Sequence, residues 1–445
     1  MRVLLISTYE LGHQPLHVAS PAASLAAAGH DVRAVDLKLD RLQDDDLHWA
    51  QAVAISVPMH TAMQLARPVV ADINARFSSL PICLYGLYAT AAADRIEGVD
   101  RFIAGEYEPA LLAWVSGIVA GIPRAATVVE IGRTPFVVPD RTRLPVLDRY
   151  AHLEIGGQHR IVGYVEASHG CRHRCRHCPL PVVYDGTFRT VAVDLVVADA
   201  DQLIQGGAAH ITFGDPDFLN GPHHGMRVLR RIHERHPEVT FDVTVKVEHI
   251  LRHRELLPEM AELGVVFVVS AFETTNETVL EKLDKGHTAA DAAEAVSLVR
   301  AAGIDIRPSW MPFTPWSTVD DLIDIFEFVA RHDIDPDPVQ LTIRLLIPEG
   351  SLVLDIPGIE ETVSGFDLDR LSYRWQAPEH RLDVLQERMA ATVAAAADAG
   401  LADRWSLMQE LWSMVLDAAR QPYRELALDA GSIEGRPRLT EPWFC

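Results

Sequence analysis

The chain lacks any apolar run near the ~20 residues that a membrane-spanning helix needs. Its longest apolar stretches, such as Val265 to Val269, are far shorter, which excludes a membrane span. It is also short of positive charge: 40 Lys plus Arg stand against 62 Asp plus Glu, a formal net charge of −22. Such a field repels phosphate backbones and anionic lipid surfaces, so neither nucleic acid nor a membrane is expected as a partner. The opening MRVLLISTYELGHQ has a single Arg and no small-residue cleavage site, so no export is indicated and the expected location is the cytoplasm. Cysteine is scarce. Of five, Cys83 and Cys445 stand apart, whereas Cys171, Cys175 and Cys178 fall within eight residues, which suits metal ligation better than a disulfide framework.

What is present is an ordinary globular composition, 48% hydrophobic, 7% aromatic and 23% charged over 445 residues. At roughly 100–200 residues per domain this predicts two to four domains. Residues 1–122 alternate apolar runs (RVLLIST, DVRAVDL, AVAISV, PICLYG, RFIAGE) with helical patterns, the rhythm of a doubly wound, Rossmann-like parallel sheet whose ligand edge is its carboxyl end. Residues 123–158 carry Pro123, Pro135, Pro139 and Pro145 without a sustained period and read as a surface linker. Between 159 and 360 the alternation resumes with six strands and five intervening helices, fitting a partial (β/α)6 TIM barrel. Its chemistry is expected at the C-terminal ends of the strands. Residues 361–420 hold two amphipathic helices, and 421–445 form a polar tail ending in TEPWFC.

The first barrel strand runs directly into SHGCRHRCRHCPLP. Three thiolates spaced CxxxCxxC can hold three irons of a four-iron, four-sulfur (4Fe-4S) cluster, which leaves the fourth iron open to an outside ligand. The bland alternative is a structural zinc site with His173 or His177 as fourth ligand, although such sites usually draw on a distant second pair. Arg172, His173, Arg174, Arg176 and His177 interleave with the cysteines and offset the charge of thiolates and sulfides, or form a solvated basic loop. The second strand closes with HITFGDPDFLN, which carries Phe213, Gly214, Asp215, Asp217 and Phe218; Asp215 before Pro216 also suits an Asx turn. Lys246 and Glu248 end the third strand, Ser270 and Glu273 the fourth, and Arg344 the sixth. They either line the barrel mouth or pair among themselves. Trp310, Met311, Phe313 and Trp316 after the fifth strand make an apolar wall that excludes water from a reactive centre, or core packing beneath the C-terminal helices.

The three-cysteine loop after a first barrel strand resembles the radical S-adenosylmethionine (SAM) superfamily, over the whole second domain. The resemblance implies that SAM chelates the open iron through its amino and carboxylate groups. It further implies that the reduced cluster, fed by an electron donor such as flavodoxin or ferredoxin, cleaves the sulfonium to a 5′-deoxyadenosyl radical. It puts His177 beside the adenine, Asp215 on the methionyl ammonium and Glu273 or Ser270 at the ribose. Asp217 belongs to a Phe-x-Asp-Asp-x-Phe element that Pro216 interrupts, and LDKGHT, with Lys285 and His287, is similar to the family's Leu-x-Lys-Gly pattern. The first domain resembles the cobalamin-binding type that precedes many such barrels. Neither His13 nor His17 sits in an Asp-x-His-x-x-Gly pattern, so cobalamin would bind without a protein histidine, or the domain has kept the fold and lost the ligand.

GYVEASHGCRHRCRHCPLPVVYDGTFR, HITFGDPDFLNGP, VTVKVEHILRHRELLP, LDKGHT, FTPWST and the closing EPWFC together resemble the CUAEP/CCAEP-tail radical SAM (seleno)proteins over residues 160–445. That resemblance implies a continuation past Cys445 with Cys or selenocysteine and then Ala-Glu-Pro, with the selenocysteine codon read as a stop. The vicinal pair would grip a soft element such as arsenic or selenium. The expected reaction is a radical transfer on a small-molecule substrate. The group is methyl, carried by cobalamin, or 3-amino-3-carboxypropyl, passed to an acceptor such as arsenite. The competing reading is a metal or metalloid carrier with zinc or arsenic on its cysteines and no SAM chemistry.

Overall fold

The structure, a computed structural model, describes residues 1–120, 127–335, 337–400, 403–427 and 435–441. Six strands form the first sheet: β1 (Arg2–Ser7), β2 (Asp31–Asp36), β3 (Ala52–Ser56), β4 (Ile82–Tyr85), β5 (Arg101–Gly105) and β6 (Thr127–Glu130), all parallel and in the order β2-β1-β3-β4-β5-β6. Every residue of β3 and β4 is buried, as expected for central parallel strands covered on both faces. Helices Leu16–Ala27 and Tyr107–Ala120 cover one face through Val18, Ala22, Leu111 and Trp114. Helix His60–Arg76 covers the other through Met63, Ala66, Val70 and Ile73. The edge strand β6 lies inside the segment expected to be a linker. Gly105, at φ +83°, lets the chains approach so closely that a Cβ there would lie 2.0 Å from the Glu130 carbonyl oxygen.

The remaining strands are β7 (His152–Ile155), β8 (Gln158–Val165), β9 (Ser168–Gly170), β10 (Phe188–Thr190), β11 (His210–Phe213), β12 (Thr240–Thr244), β13 (Val265–Glu273), β14 (Asp305–Trp310), β15 (Val363–Asp367), β16 (Ser372–Trp375) and β17 (Arg438–Leu439). Parallel strands β8, β11, β12, β13 and β14 curl into a half-barrel with its helices outside, the α/β architecture expected from the strand-helix alternation. The sixth position departs from a full strand. Pro338–Thr342 winds into a 3-10 turn capped by Asp337, leaving one parallel bridge, Phe313 to Arg344, against the barrel. Trp310 packs edge-on against Phe272 and Phe328, so the aromatic wall is core packing at that residue. Helices His380–Asp398 and Arg404–Ala418 join the same core through Leu382, Leu385, Met389 and Trp412.

The barrel sheet continues outward through antiparallel β7 and β17. Part of the tail expected to lack periodicity is therefore a strand. Beyond it, Glu441 reaches Lys38 Nζ at 2.8 Å and Tyr9 Oη at 3.0 Å, at the carboxyl edge of the first sheet. The halves are also clipped by Arg141, whose buried guanidinium meets Asp199 at 2.9 and 2.7 Å and donates to the carbonyls of Gln14 (3.1 Å) and Tyr164 (2.7 Å). Removing one partner of a buried, hydrogen-bonded pair strands the other charge, so Arg141→Ala is expected to cost about 3–5 kcal/mol. Chemical denaturation monitored by tryptophan fluorescence measures it.

Candidate cluster and cofactor site

The three-cysteine loop is an excursion between two short strands. β9 and β10 pair antiparallel at its base, and Gly170 (φ +71°) turns the chain where a Cβ would sit 2.3 Å from the Thr187 carbonyl oxygen. Cys171 and Cys175 are buried, Cys178 is half-buried, and all three are free thiols. Asn220 Nδ2 donates to Cys171 Sγ at 3.2 Å, and Lys246 Nζ lies 3.7 Å from Cys175 Sγ. Burial pushes the Cys171 thiol up, which the Asn220 hydrogen bond opposes. The far side of the loop is fastened by Arg176, whose backbone N–H donates to Leu283 O and whose guanidinium donates to Lys282 O, both at 2.9 Å.

The strand ends supply the other groups. Phe213 closes β11 within the core, and Gly214 follows it where a Cβ would overlap Tyr164 Oη at 1.8 Å. Asp215 is buried just past the end of β11. Its carboxylate accepts from Ala167 N–H (2.9 Å) and the Ser168 hydroxyl and so holds the start of the loop, and burial pushes it up to about 7. Glu273 ends β13 in the left-handed region (φ 65°), strain of a kind that gathers at functional sites. Its carboxylate meets Lys285 Nζ at 2.8 Å and His177 Nε2 at 3.1 Å. Burial opposes its ionisation, but Lys285 and His177 hold the carboxyl well below the usual carboxylate range.

The Arg344 guanidinium lies 3.4 Å from the Trp375 ring centroid and 2.6 Å from Asp383, so it fastens the C-terminal helix. Cys83 is buried in β4 of the other sheet, and Cys445 lies outside the described residues.

Buried polar atoms without a hydrogen bond gather at this end of the half-barrel: Asn220 Oδ1, Ser270 Oγ and His177 Nδ1 have none, and Asp217 Oδ2 and His249 Nδ1 form only an ion contact, at 2.6 Å. Buried polar groups are otherwise nearly always satisfied, so the set fits a polar ligand such as SAM. The three neighbouring thiols, with no other cysteine beside them among the described residues, fit three corners of an iron-sulfur cluster. At the carboxyl edge of the first sheet, His13 (both ring nitrogens) and Gln14 Oε1 are likewise buried and unpartnered, which fits a second polar ligand at that edge. Leu11 and Leu16 stand where an Asp-x-His-x-x-Gly motif around His13 would have Asp and Gly.

Several residues here were not singled out from sequence. A chain of alternating acids and imidazoles crosses the domain junction: His17 Nε2 to Glu166 at 3.3 Å, Glu166 to His169 Nε2 at 3.1 Å, and His169 Nδ1 to Glu106 at 3.1 Å. Tyr184 and Tyr164 donate to Glu106 (3.1 Å) and Glu166 (2.8 Å). The chain borders a cleft of about 430 Å³ that Leu16, Tyr107, Phe136 and Val191 also line. A second space of about 360 Å³ lies between Leu87–Ala91 of the first sheet and His177, Cys178 and Pro179. Only Glu166 and His169 had a local signal, their place in the run into the cysteines.

Residues 165–329, which hold the half-barrel strands and the three-cysteine loop, match the profile of the Radical SAM superfamily. Among curated relatives, the chain is 23% identical over 282 residues to Hopanoid C-2 methylase of Rhodopseudomonas palustris, covering 62% of this chain and 52% of that protein. It is 24% identical over 357 residues to Hopanoid C-3 methylase of Methylococcus capsulatus, covering 75% and 67%. The chain thus spans about half the length of the first and two thirds of the second. The fold is similar to that of the cobalamin-dependent S-adenosylmethionine radical enzyme OxsB with aqua-cobalamin bound, at TM-score 0.66, 13% identity and coverage of 87% of this chain and 66% of that one. It is also similar to the radical S-adenosylmethionine methyltransferase TsrM from Kitasatospora setae, with cobalamin and a 4Fe-4S cluster bound, at TM-score 0.56, 18% identity and coverage of 73% and 70%. No helix among the described residues is long and apolar enough to cross a membrane.

The junction chain has a pH signature. Burial works against a charged His17, but Glu166 and Glu10 raise its pKa to about 9, while burial of Glu166 is outweighed by His17 and His169, which keep it ionised. A histidine raised in the fold stabilises fully below its unfolded value near 6.5 and loses that contribution as pH climbs through about 9. The stability difference between the native chain and His17→Gln is expected to be on the order of 3 kcal/mol near pH 6 and to fade by pH 9–10. Denaturant midpoints measured across that range check it.

Proposed function

We propose that the chain transfers a one-carbon group to a small-molecule substrate by radical SAM chemistry, as a methyltransferase with a cobalamin-type first domain. The reading is carried by the three free thiols of Cys171, Cys175 and Cys178 on the loop after the first strand of a half-barrel that matches the superfamily. Cys171, Cys175 and Cys178 would hold the 4Fe-4S cluster. Ser270, His177 and Glu273 would hold SAM, and the edge around His13 and Gln14 would hold cobalamin. When bound, these groups supply reductive cleavage of the sulfonium and carriage of the methyl group.

The chain's own residues bind, orient and exclude water. Asn220 and Lys246 place donors at the Cys171 and Cys175 sulfurs, which favours the reduced, more negative state of the centre. Lys285 raises the local positive potential beside Cys175 and fixes Glu273. Asp215 and the β9–β10 pair set the direction of the loop, and Phe213, Phe272 and Trp310 keep the strand ends dry. Electrons would come from a small reductant protein of the flavodoxin or ferredoxin kind, and the cytoplasm is the fitting compartment. A second reading, transfer of 3-amino-3-carboxypropyl to a soft-element acceptor such as arsenite, rests on the EPWFC tail alone.

Anaerobic reconstitution is expected to load about four irons and four sulfides per chain, and dithionite with SAM to yield 5′-deoxyadenosine or a related cleavage product. Cys175→Ala should lose both cluster and cleavage; retained cleavage removes the assignment. Titrating cobalamin into the same sample tests the methyl-transfer reading: a stoichiometric spectral change supports it, whereas no binding together with a carboxypropylated acceptor in the product mass spectrum replaces it with the second.

A further inference from the structure

We propose that His173, Asp217 and His249 form a mononuclear divalent-metal site beside the three-cysteine loop, separate from the cluster. The donors come from three neighbouring positions at the active end of the half-barrel. His173 stands between Cys171 and Cys175, Asp217 caps the turn after β11, and His249 lies on the short helix Val247–Arg252 after β12. One ligand atom from each lies within 4.8 Å of the others. Asp217 Oδ2 lies 2.6 Å from His249 Nδ1 and 3.9 Å from His173 Nε2, and these three atoms are the donor set; the other ring nitrogen of His249, Nε2, lies 3.3 Å from His173 Nε2. Donors about 2.1 Å from one tetrahedral ion stand ~3.4 Å apart, so closing on a cation requires Asp217 Oδ2 and His249 Nδ1 to part by ~0.8 Å from their 2.6 Å contact.

The state of these atoms points to a missing ligand. Asp217 Oδ1 accepts from Leu219 N–H at 3.3 Å and caps its turn, but Oδ2, on a fully buried residue, has no hydrogen bond. His249 Nδ1 faces it at 2.6 Å on a residue only 5% exposed and also makes none. The contact is an Asp–His ion pair without hydrogen-bond geometry, and a shared cation in place of a proton would satisfy both atoms. Glu248 Oε2 lies 3.7 Å from His173 Nδ1, where a carboxylate orients a ligating imidazole and increases its basicity. Two imidazoles and one carboxylate select a first-row ion such as Fe2+, Co2+ or Zn2+ over Mg2+ or Ca2+. Three protein ligands leave positions open, so the ion would take an oxygen or nitrogen of the substrate. This removes Asp217 from the SAM contacts expected from sequence; the site does not depend on which group the enzyme transfers.

The test is an anaerobic Co2+ titration of the full chain with its cluster loaded. The expected result is about one Co2+ per chain with visible d–d bands and no added thiolate-to-metal charge transfer, retained at saturating SAM. His249→Gln and Asp217→Asn should each weaken Co2+ binding by more than the roughly 10–100-fold typical of losing an outer-shell partner, with iron and sulfide content unchanged as evidence of folding. Binding that brings thiolate charge transfer, expulsion of Co2+ by SAM, equal affinity in both variants, or no binding overturns the site. Iron and sulfide counts judge the cluster independently of the cobalt bands.

Discussion

Three thiols whose deprotonated forms repel one another must share one largely buried spot, on a segment with almost no regular structure of its own. Charge in such a place is tolerated only when paired or hydrogen-bonded. The surroundings are arranged accordingly. Lys246 and Asn220 approach two of the sulfurs, Lys285 stands behind them on Glu273, and Arg176 ties the loop's far side to the Lys282–Leu283 turn. At its base, Asp215 and the β9–β10 pair fix where the first cysteine leaves the sheet. In a chain with a net charge of −22, local cations at this one loop matter more than the overall field.

That loop does not stand on the half-barrel alone. His169, two residues before Cys171, is gripped by Glu106 just past β5 of the first sheet and by Glu166 in the link between β8 and β9, and His17 closes the chain from the other side. Arg141 joins the connecting segment to both halves, and the tail strand β17 carries Glu441 back to Lys38. The first sheet is therefore coupled to the cysteine loop through buried ion pairs, which are costly to break one partner at a time. This is a physical reason for the two halves to act as one unit around a ligand held between them.

Much of the architecture could be read from residue order. Apolar runs alternating with helical patterns marked both sheets, and CxxxCxxC after a strand marked the loop. The strand closing on Phe213 and the turn at Lys285 also fell where the pattern put them. Short elements were less legible. β6 has only the four residues Thr127–Glu130, with none fully buried, so no apolar period betrays it, and β17 has only two. The stretch around Arg344 reads as a strand by composition, yet Pro338 and the Asp337 cap turn it into a 3-10 segment, which sends Arg344 to Trp375 and Asp383. The family resemblance put Asp215 on the methionyl ammonium, with an Asx turn as the alternative. The structure uses it on Ala167 N–H and Ser168, groups whose needs are invisible in one dimension.

By itself the sequence determined what depends on local spacing: two α/β units, one loop with three sulfur donors, and no apolar run of the length a membrane-crossing helix needs. Which polar side chains meet was decided only in three dimensions. Glu106 and His169 are 63 residues apart, Asn220 and Cys171 are 49 apart, and His249 and His173 are 76 apart. Pairings at such separations follow from how the strands stack and where their ends fall, and burial then decides whether each group finds a partner or waits for a ligand.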